Sequence, residues 1–334
     1  MYKALVSGVC LAFVTACPLS AQTEPALAPL AGTDTMRLQV LLDRLGFTPG
    51  VIDGKQGTSL TWAIKGFQQA REIPQTGQPD AKTLELLQPY ASLPPVIEVA
   101  LDAADFAGPF VGPIPKAAKA QAALPAMGYT DPLEGIAERY HTTKAALIAL
   151  NGPEAKVAVG AKIKVPNVRP ATADYPSTLR EDWRATLAHL SVSSDQPKAA
   201  KVVVDKSDGV LRVYAADDKL VAQFPATMGS QHDPLPIGTW KIQGTSYLPR
   251  YHYNPTLFWD ANKGDEKQML KPGPNGPVGV VWMDLNKPHY GIHGTPSPET
   301  IGRAESHGCV RLTNWDAARL AMMVKPGTPA IFQR

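Results

Sequence analysis

Cysteine is scarce in this 334-residue chain: only Cys10, Cys17 and Cys309. The first two fall in or beside an apolar leader, so Cys309 has no cysteine partner in the remainder of the chain. A disulfide scaffold and an all-cysteine zinc site are both excluded, and apolar cores must hold the fold. Charge of one sign is also lacking. The formal net charge is +3, or +2 once Lys3 leaves with the leader, too little for a nucleic-acid footprint. Beyond the leader no apolar run approaches the roughly 20 residues of a membrane helix. Glycine (27) and proline (32) are plentiful, which implies turns and connectors rather than long helices. The length suits two or three domains.

The leader opens on the weakly basic Met1-Tyr2-Lys3 and stays apolar to residue 16. Pro18-Leu19-Ser20-Ala21 reads as a cleavage region, giving a signal peptide over residues 1–21. Val14-Thr15-Ala16-Cys17 also has the form of a lipobox, and the alternative is a lipoprotein signal over 1–16 with Cys17 as the anchor. Both readings export the protein to the periplasm.

Three modules come after the leader, and the expected architecture is multidomain: a small α-helical N-terminal bundle, a small α+β middle and a mainly-β C-terminal catalytic domain. In residues 34–90, Leu38, Leu41, Leu42 and Leu45 recur on one helical face before Gly46 ends the helix. A dense turn cluster holds Pro49-Gly50 and Asp53-Gly54, and two further helices are expected from Thr61 and from Asp80. The order Leu38-Gln39, Leu45-Gly46-Phe47, Asp53-Gly54, Ala63, Phe67-Gln68, Gly77 resembles a peptidoglycan-binding domain of three helices.

Residues 91–127 have linker composition, with a strand expected near residues 96–101. In 128–168, Leu133, Ile136, Ala137 and Tyr140 make one helical face and Leu147, Ile148 and Leu150 another. Ile163-Lys164-Val165-Pro166 reads as a terminal strand. With Leu150-Asn151-Gly152 and Val159-Gly160, the segment resembles a LysM carbohydrate-binding repeat, although Thr130-Asp131-Pro132 replaces the usual opening. A spacer with no glycan affinity is the alternative.

A helix is expected near 178–190, and then the pattern turns to strands. Residues 201–205 and 211–214 flank Ser207-Asp208-Gly209, a hairpin signal. Residues 221–228, 238–245 and 277–282 are further strand candidates, and a helix is expected over 314–324.

The chemistry converges on Ser306-His307-Gly308-Cys309. A thiol is a nucleophile once its proton is removed, and a nearby imidazole can do this and later protonate a leaving amine. His307 lies two residues before Cys309, on the same face of an extended strand. His293 could instead approach from a neighbouring strand, with the Gly294 backbone fixing its tautomer. Gly308 permits a turn that aims backbone N–H groups at an oxyanion. A zinc site built on His293, His307 and Cys309 would need a further ligand, and neither another cysteine nor a helix-borne histidine pair supplies one. His232, His252 and His289 read as surface or structural. Tyr251, Tyr253 and Trp259 read as cleft-lining or core residues.

His293-Gly294-Thr295-Pro296 followed by Ser306-His307-Gly308-Cys309-Val310-Arg311-Leu312-Thr313-Asn314 resembles the signature of L,D-transpeptidases with a YkuD-like catalytic domain, over residues 199–334. Pro288-His289-Tyr290-Gly291-Ile292 and Pro236-Ile237-Gly238-Thr239-Trp240 fit the same family. The resemblance implies Cys309 as nucleophile, His293 as general base and acid, and the Gly294 carbonyl as its orienting group. His307 stands beside them, and Gly308, Ser306, Arg311 and Tyr290 shape the oxyanion and substrate site. It implies no cofactor and no metal. The expected reaction forms a thioester with a peptidoglycan stem tetrapeptide, releases D-Ala and passes the acyl group to an amine, on a second stem peptide or a wall-anchored protein. The alternatives are an L,D-carboxypeptidase or endopeptidase, and a non-catalytic peptidoglycan-binding protein. An exposed low-pKa thiol would also call for a periplasmic thiol reductant as partner.

Overall fold

The computed structural model describes Met1 and residues 34–170, 174–262 and 264–334. The signal peptide and the Cys17 alternative lie outside the described residues. Among the described residues no helix is long and apolar enough to cross a membrane.

The helices of the first module arise from their caps and stripes. α1 (Thr35–Arg44) starts where the Asp34 side chain accepts the Arg37 N–H, and it buries Leu38, Leu41 and Leu42. Gly46 ends it in the left-handed region at φ +84°. α2 (Thr58–Ala70) and α3 (Ala81–Leu87, capped by Asp80) complete a three-helix core in which Phe47 meets Phe67 edge-on at 5.9 Å.

The middle module is wider than its motif. Its strand β2 (Lys162–Pro166) pairs antiparallel with β1 (Val96–Ala100), which lies in the stretch of linker composition. Between them come the short α4 (Ala118–Ala123), then α5 (Pro132–Arg139) and α6 (Lys144–Asn151), capped by Asp131 and Thr143. Ile136, Ala137, Tyr140, Leu147, Ile163 and Val165 form its core together with Val40 and Ile52 of the first module.

After α7 (Glu181–His189) the chain builds one large sheet. Its strands are β3 (Lys201–Asp205), β4 (Val210–Tyr214), β5 (Leu220–Pro225), β6 (Thr227–Met228), β7 (Gly238–Tyr247), β10 (Val281–Leu285), β11 (Gly291–His293), β12 (Val310–Arg311) and β13 (Pro329–Gln333), in the spatial order β5-β4-β3-β13-β7-β10-β11-β12-β6. A separate hairpin of β8 (Tyr251–Tyr253) and β9 (Gln268–Leu270) stands off it. α8 (Asn314–Met323) comes directly after β12 and buries Trp315 and Leu320.

The modules form one body rather than beads on linkers. The edge strand β5 is covered by the first module: Thr48 N–H donates to the Gln223 carbonyl at 3.0 Å and Gln223 N–H to Gly46 at 2.9 Å. A Cβ on Gly66 of α2 would stand 2.7 Å from the Gln223 side chain, so only glycine permits that approach. A buried ionic cluster joins all three parts. Arg319 of α8 donates to both Asp43 oxygens at 3.0 and 2.8 Å, and His141 Nδ1 lies 3.1 Å from each. Thr48 donates to Asp316 at 2.9 Å, His141 Nε2 donates to the Leu190 carbonyl at 2.7 Å, and the imidazole stacks on Trp315. Against the cost of its burial, Arg319 and His141 hold the Asp43 carboxyl well below the usual range.

Candidate active site

The central geometry is a parallel strand pair. β11 and β12 align Ile292 with Val310 and His293 with Arg311. Side chains alternate along each strand, so His293 and Arg311 share a face with Cys309, which precedes Val310. The pairing therefore brings the distant histidine onto the cysteine's side of the sheet.

Each group is held by identifiable neighbours. His293 Nδ1 donates to the Gly294 carbonyl at 2.7 Å. Because a carbonyl only accepts, the proton sits on Nδ1 and Nε2 is left as the proton acceptor. Trp282, opposite His293 on β10, stacks on its ring with centroids 5.4 Å apart. Burial, and then the Arg311 charge, push the His293 imidazole down to about 4, so it is neutral near pH 7. The half-buried Cys309 Sγ–H donates to the His289 carbonyl at 3.7 Å. Burial pushes the thiol up, opposed by a bond from the Gly291 N–H and by Arg311. The resting pair is thus thiol and neutral imidazole, not thiolate and imidazolium.

Gly308 precedes the cysteine at φ +93°, and a Cβ there would stand 2.7 Å from Tyr290 Cε1. The turn is closed by Ser306, which is buried. The Gly229 N–H donates to its Oγ at 2.6 Å, and the hydroxyl donates to the Cys309 carbonyl at 2.7 Å. Through these two bonds Ser306 braces the cysteine loop. His307 points elsewhere than expected: its Nε2 meets Asp260 Oδ1 at 3.0 Å and its ring meets Phe258 edge-on at 5.1 Å. Both partners belong to the loop between β8 and β9. Tyr251 of that hairpin and Tyr290 face the cysteine, burial and then the proximity of the Cys309 thiol raising both phenols, Tyr251 to about 12. Trp259 is 62% exposed and stacks on His232 at 4.3 Å, at the outer rim.

Comparisons with known proteins give the family. The YkuD model, described as the L,D-transpeptidase catalytic domain, matches residues 199–332, and a "Putative peptidoglycan binding domain" model matches 31–87. "Putative L,D-transpeptidase YkuD" of Bacillus licheniformis is 31% identical over 201 residues, covering 59% of this chain and 90% of the relative. The chain belongs to the YkuD L,D-transpeptidase family. Another relative, from Fuscovulum blasticum, named "Putative L,D-transpeptidase in ATP synthase subunits region ORF 5", is 29% identical over 51% of this chain and 88% of its own. A solved L,D-transpeptidase from Mycobacterium smegmatis is 23% identical, covers 40% of this chain and 58% of that one, and has a TM-score of 0.33.

Within this transpeptidase fold the structure brings together Cys309, His293, Gly294, Gly308, Arg311 and Tyr290, and sends His307 to the hairpin loop. Sequence reasoning missed Trp282. Its one signal is a tryptophan at the second position of the strand that pairs with the His293 strand, and that pairing is invisible before the sheet is known. Also missed was the role of Asn314, which the signature contains but gives no task. Among the described residues no group of three or more His, Cys, Asp or Glu is arranged to hold a metal ion.

Proposed function

We propose that the protein is a periplasmic L,D-transpeptidase that works through a Cys309 thioester on peptidoglycan stem tetrapeptides. The observation that carries the reading is the His293 ring, fixed by the Gly294 carbonyl with its accepting nitrogen free, on the same sheet face as Cys309. Nε2 takes the thiol proton as Sγ attacks the carbonyl between the L-centre of a diaminopimelate-type residue and the terminal D-Ala. The N–H groups of Gly308 and Cys309 face the oxyanion. His293 returns the proton to the departing D-Ala amine, leaving the thioester. An amine from a second stem peptide or a wall protein then attacks, losing its proton to His293, and a new amide forms as the thiol is released. Rotation of the cysteine away from His289 is required first, consistent with catalytic hydrogen bonds that tighten only with substrate.

Mass spectrometry of products from purified tetrapeptide muropeptides tests this. The expected result is free D-Ala together with a dimer one D-Ala lighter than two monomers. Tripeptide and D-Ala without dimer would make water the acceptor and the protein a carboxypeptidase. Unchanged substrate alongside retained sacculus binding would make it a binding protein. On this reading a wall ligand would lie in the polar groove of about 410 Å³ between the first module and the loop before the cysteine, lined by Gln39, Asp53, Lys55, Glu299 and Arg303.

The pH profile is set by the charge states. His293 must be neutral to accept the proton, and its depressed value of about 4 puts the acid limb of kcat/KM far below the ordinary imidazole range. Acylation of Cys309, read as kcat/KM for the donor, is therefore flat from about pH 5 to 8, and thiolate absorbance rises only above the ordinary thiol range. A thiolate band already present at neutral pH would mean a preformed ion pair, against this scheme.

A further inference from the structure

Asn314, the first residue of α8, is placed where three segments meet. Its Oδ1 accepts the Val280 N–H at 3.1 Å, and its Nδ2 donates to the Pro274 carbonyl at 3.1 Å and to Glu138 Oε1 at 2.8 Å. The amide is wedged against two glycines: a Cβ on Gly279 would stand 1.9 Å from its Oδ1, and one on Gly294 would stand 2.1 Å away. Gly294 is the residue whose carbonyl holds His293 Nδ1. Its own N–H donates to the Val281 carbonyl at 3.3 Å, so the Gly294 peptide is fixed by β10 on one side and by the Asn314 amide on the other.

Glu138 comes from α5 of the middle module, 176 positions earlier in the chain. It is buried, and its other oxygen accepts the Tyr129 hydroxyl. The contact is reinforced nearby, where Asn275 donates to Glu134 at 3.2 Å and to the Gly128 carbonyl at 3.0 Å. Burial raises the Glu138 carboxyl to about 7, although both of its donors favour the charged form. A tether would need no buried carboxylate aimed at the catalytic domain. Such a group costs free energy unless each of its oxygens is satisfied, and here one is satisfied by the residue that wedges Gly294.

We infer that Glu138 and Asn314 are a positioning pair through which the middle module sets the Gly294 carbonyl, and with it the tautomer and aim of His293. The inference rests on the reading of His293 as the base for Cys309. The middle module is thereby part of the transferase machinery and not only a wall anchor. Loss of the pair lets the Gly294 peptide move, and sub-ångström to 1 Å displacements of a reacting group cost up to about 10²-fold in rate.

The test uses the full chain and a carbapenem as acylating probe, following the Cys309 adduct by intact mass. Glu138→Leu removes the acceptor, and we expect the first-order acylation rate to fall at least about tenfold while the half-saturating carbapenem concentration stays within about threefold. Glu138→Gln keeps an acceptor for Asn314 and restores the rate to within about threefold of the parent. If Glu138→Leu does not fold, Asn314→Asp keeps the acceptor for Val280 and loses both donated bonds, with the same expected fall. An acylation rate unchanged in Glu138→Leu or Asn314→Asp overturns the inference. So does a loss confined to half-saturation, or a Glu138→Gln as slow as Glu138→Leu. A parent protein that forms no Cys309 adduct instead overturns the underlying Cys309–His293 reading, which keeps the two failures apart.

Discussion

Cys309→Ala abolishes D-Ala release and carbapenem adduct formation while leaving sacculus binding intact. Cys309 is the free thiol among the described residues, and neither Ser306 nor Tyr290 can replace it. The Ser306 hydroxyl is committed to two backbone bonds, and burial has raised the Tyr290 phenol away from ionisation. Removing the attacking member of a nucleophile–base pair typically lowers kcat by about 10⁴ to 10⁶. The expected stability change is small, within about 1 kcal/mol, because the thiol is half-buried and its bonds, to the His289 carbonyl and from the Gly291 N–H, are weak sulfur bonds. D-Ala release by the variant at a tenth of the parental rate would place the chemistry on another residue. Loss of activity with loss of cooperative unfolding would say nothing special about the thiol, so the unfolding curve is recorded on the same preparation.

Arg319→Ala has the largest expected effect on stability. Arg319 is 6% exposed and donates two bonds to Asp43, whose side chain is fully buried on the first module. Without the guanidinium, Asp43 keeps only His141, and Asp316 loses its nearby cation as well. Breaking a buried pair by removing one member typically costs about 3–5 kcal/mol, because a desolvated charge is left under-compensated. Denaturant unfolding should show that loss, with the first module separating from the rest before the sheet unfolds. The paired change Asp43→Leu with Arg319→Met removes both charges and should recover most of it. A loss below about 1 kcal/mol in Arg319→Ala would mean that water reaches the cluster and the modules are held by their apolar contacts alone.

That cluster explains why the arrangement of modules was not legible in the sequence. Asp43, His141 and Arg319 look like ordinary surface charges in their local contexts. Asp43 lies near the end of α1, His141 just past α5 and Arg319 midway along α8, and only the packing of three modules on one another buries them. Local signals worked where the physics is local. The helix expected from Asp80 forms with that residue as its cap, Ser207-Asp208-Gly209 makes the expected hairpin, and the stripe through Leu38, Leu41 and Leu42 faces a core. The strand expected over 277–282 instead runs Val281–Leu285, because Pro277 and two glycines keep the earlier residues in a turn. The hairpin of Tyr251–Tyr253 and Gln268–Leu270 gave little warning, its two short strands lying far apart with a long loop between them.

The sequence by itself determined the candidate thiol, its candidate bases, the helical, mixed and β-rich character of successive segments, and membership in a family whose signature those residues carry. These rest on residue chemistry and on periodicities that operate within a few positions. The tertiary structure alone decided which histidine shares a face with Cys309, because that depends on the parallel register of β11 with β12. It decided that His307 serves the hairpin loop, that Trp282 backs the base, and that thiol and imidazole rest uncharged, because burial is a property of the whole fold. It also decided that a glutamate from the middle module reaches Asn314 beside Gly294. No local rule relates two residues that distant; only the tertiary fold brings Glu138 of α5 to Asn314 at the start of α8.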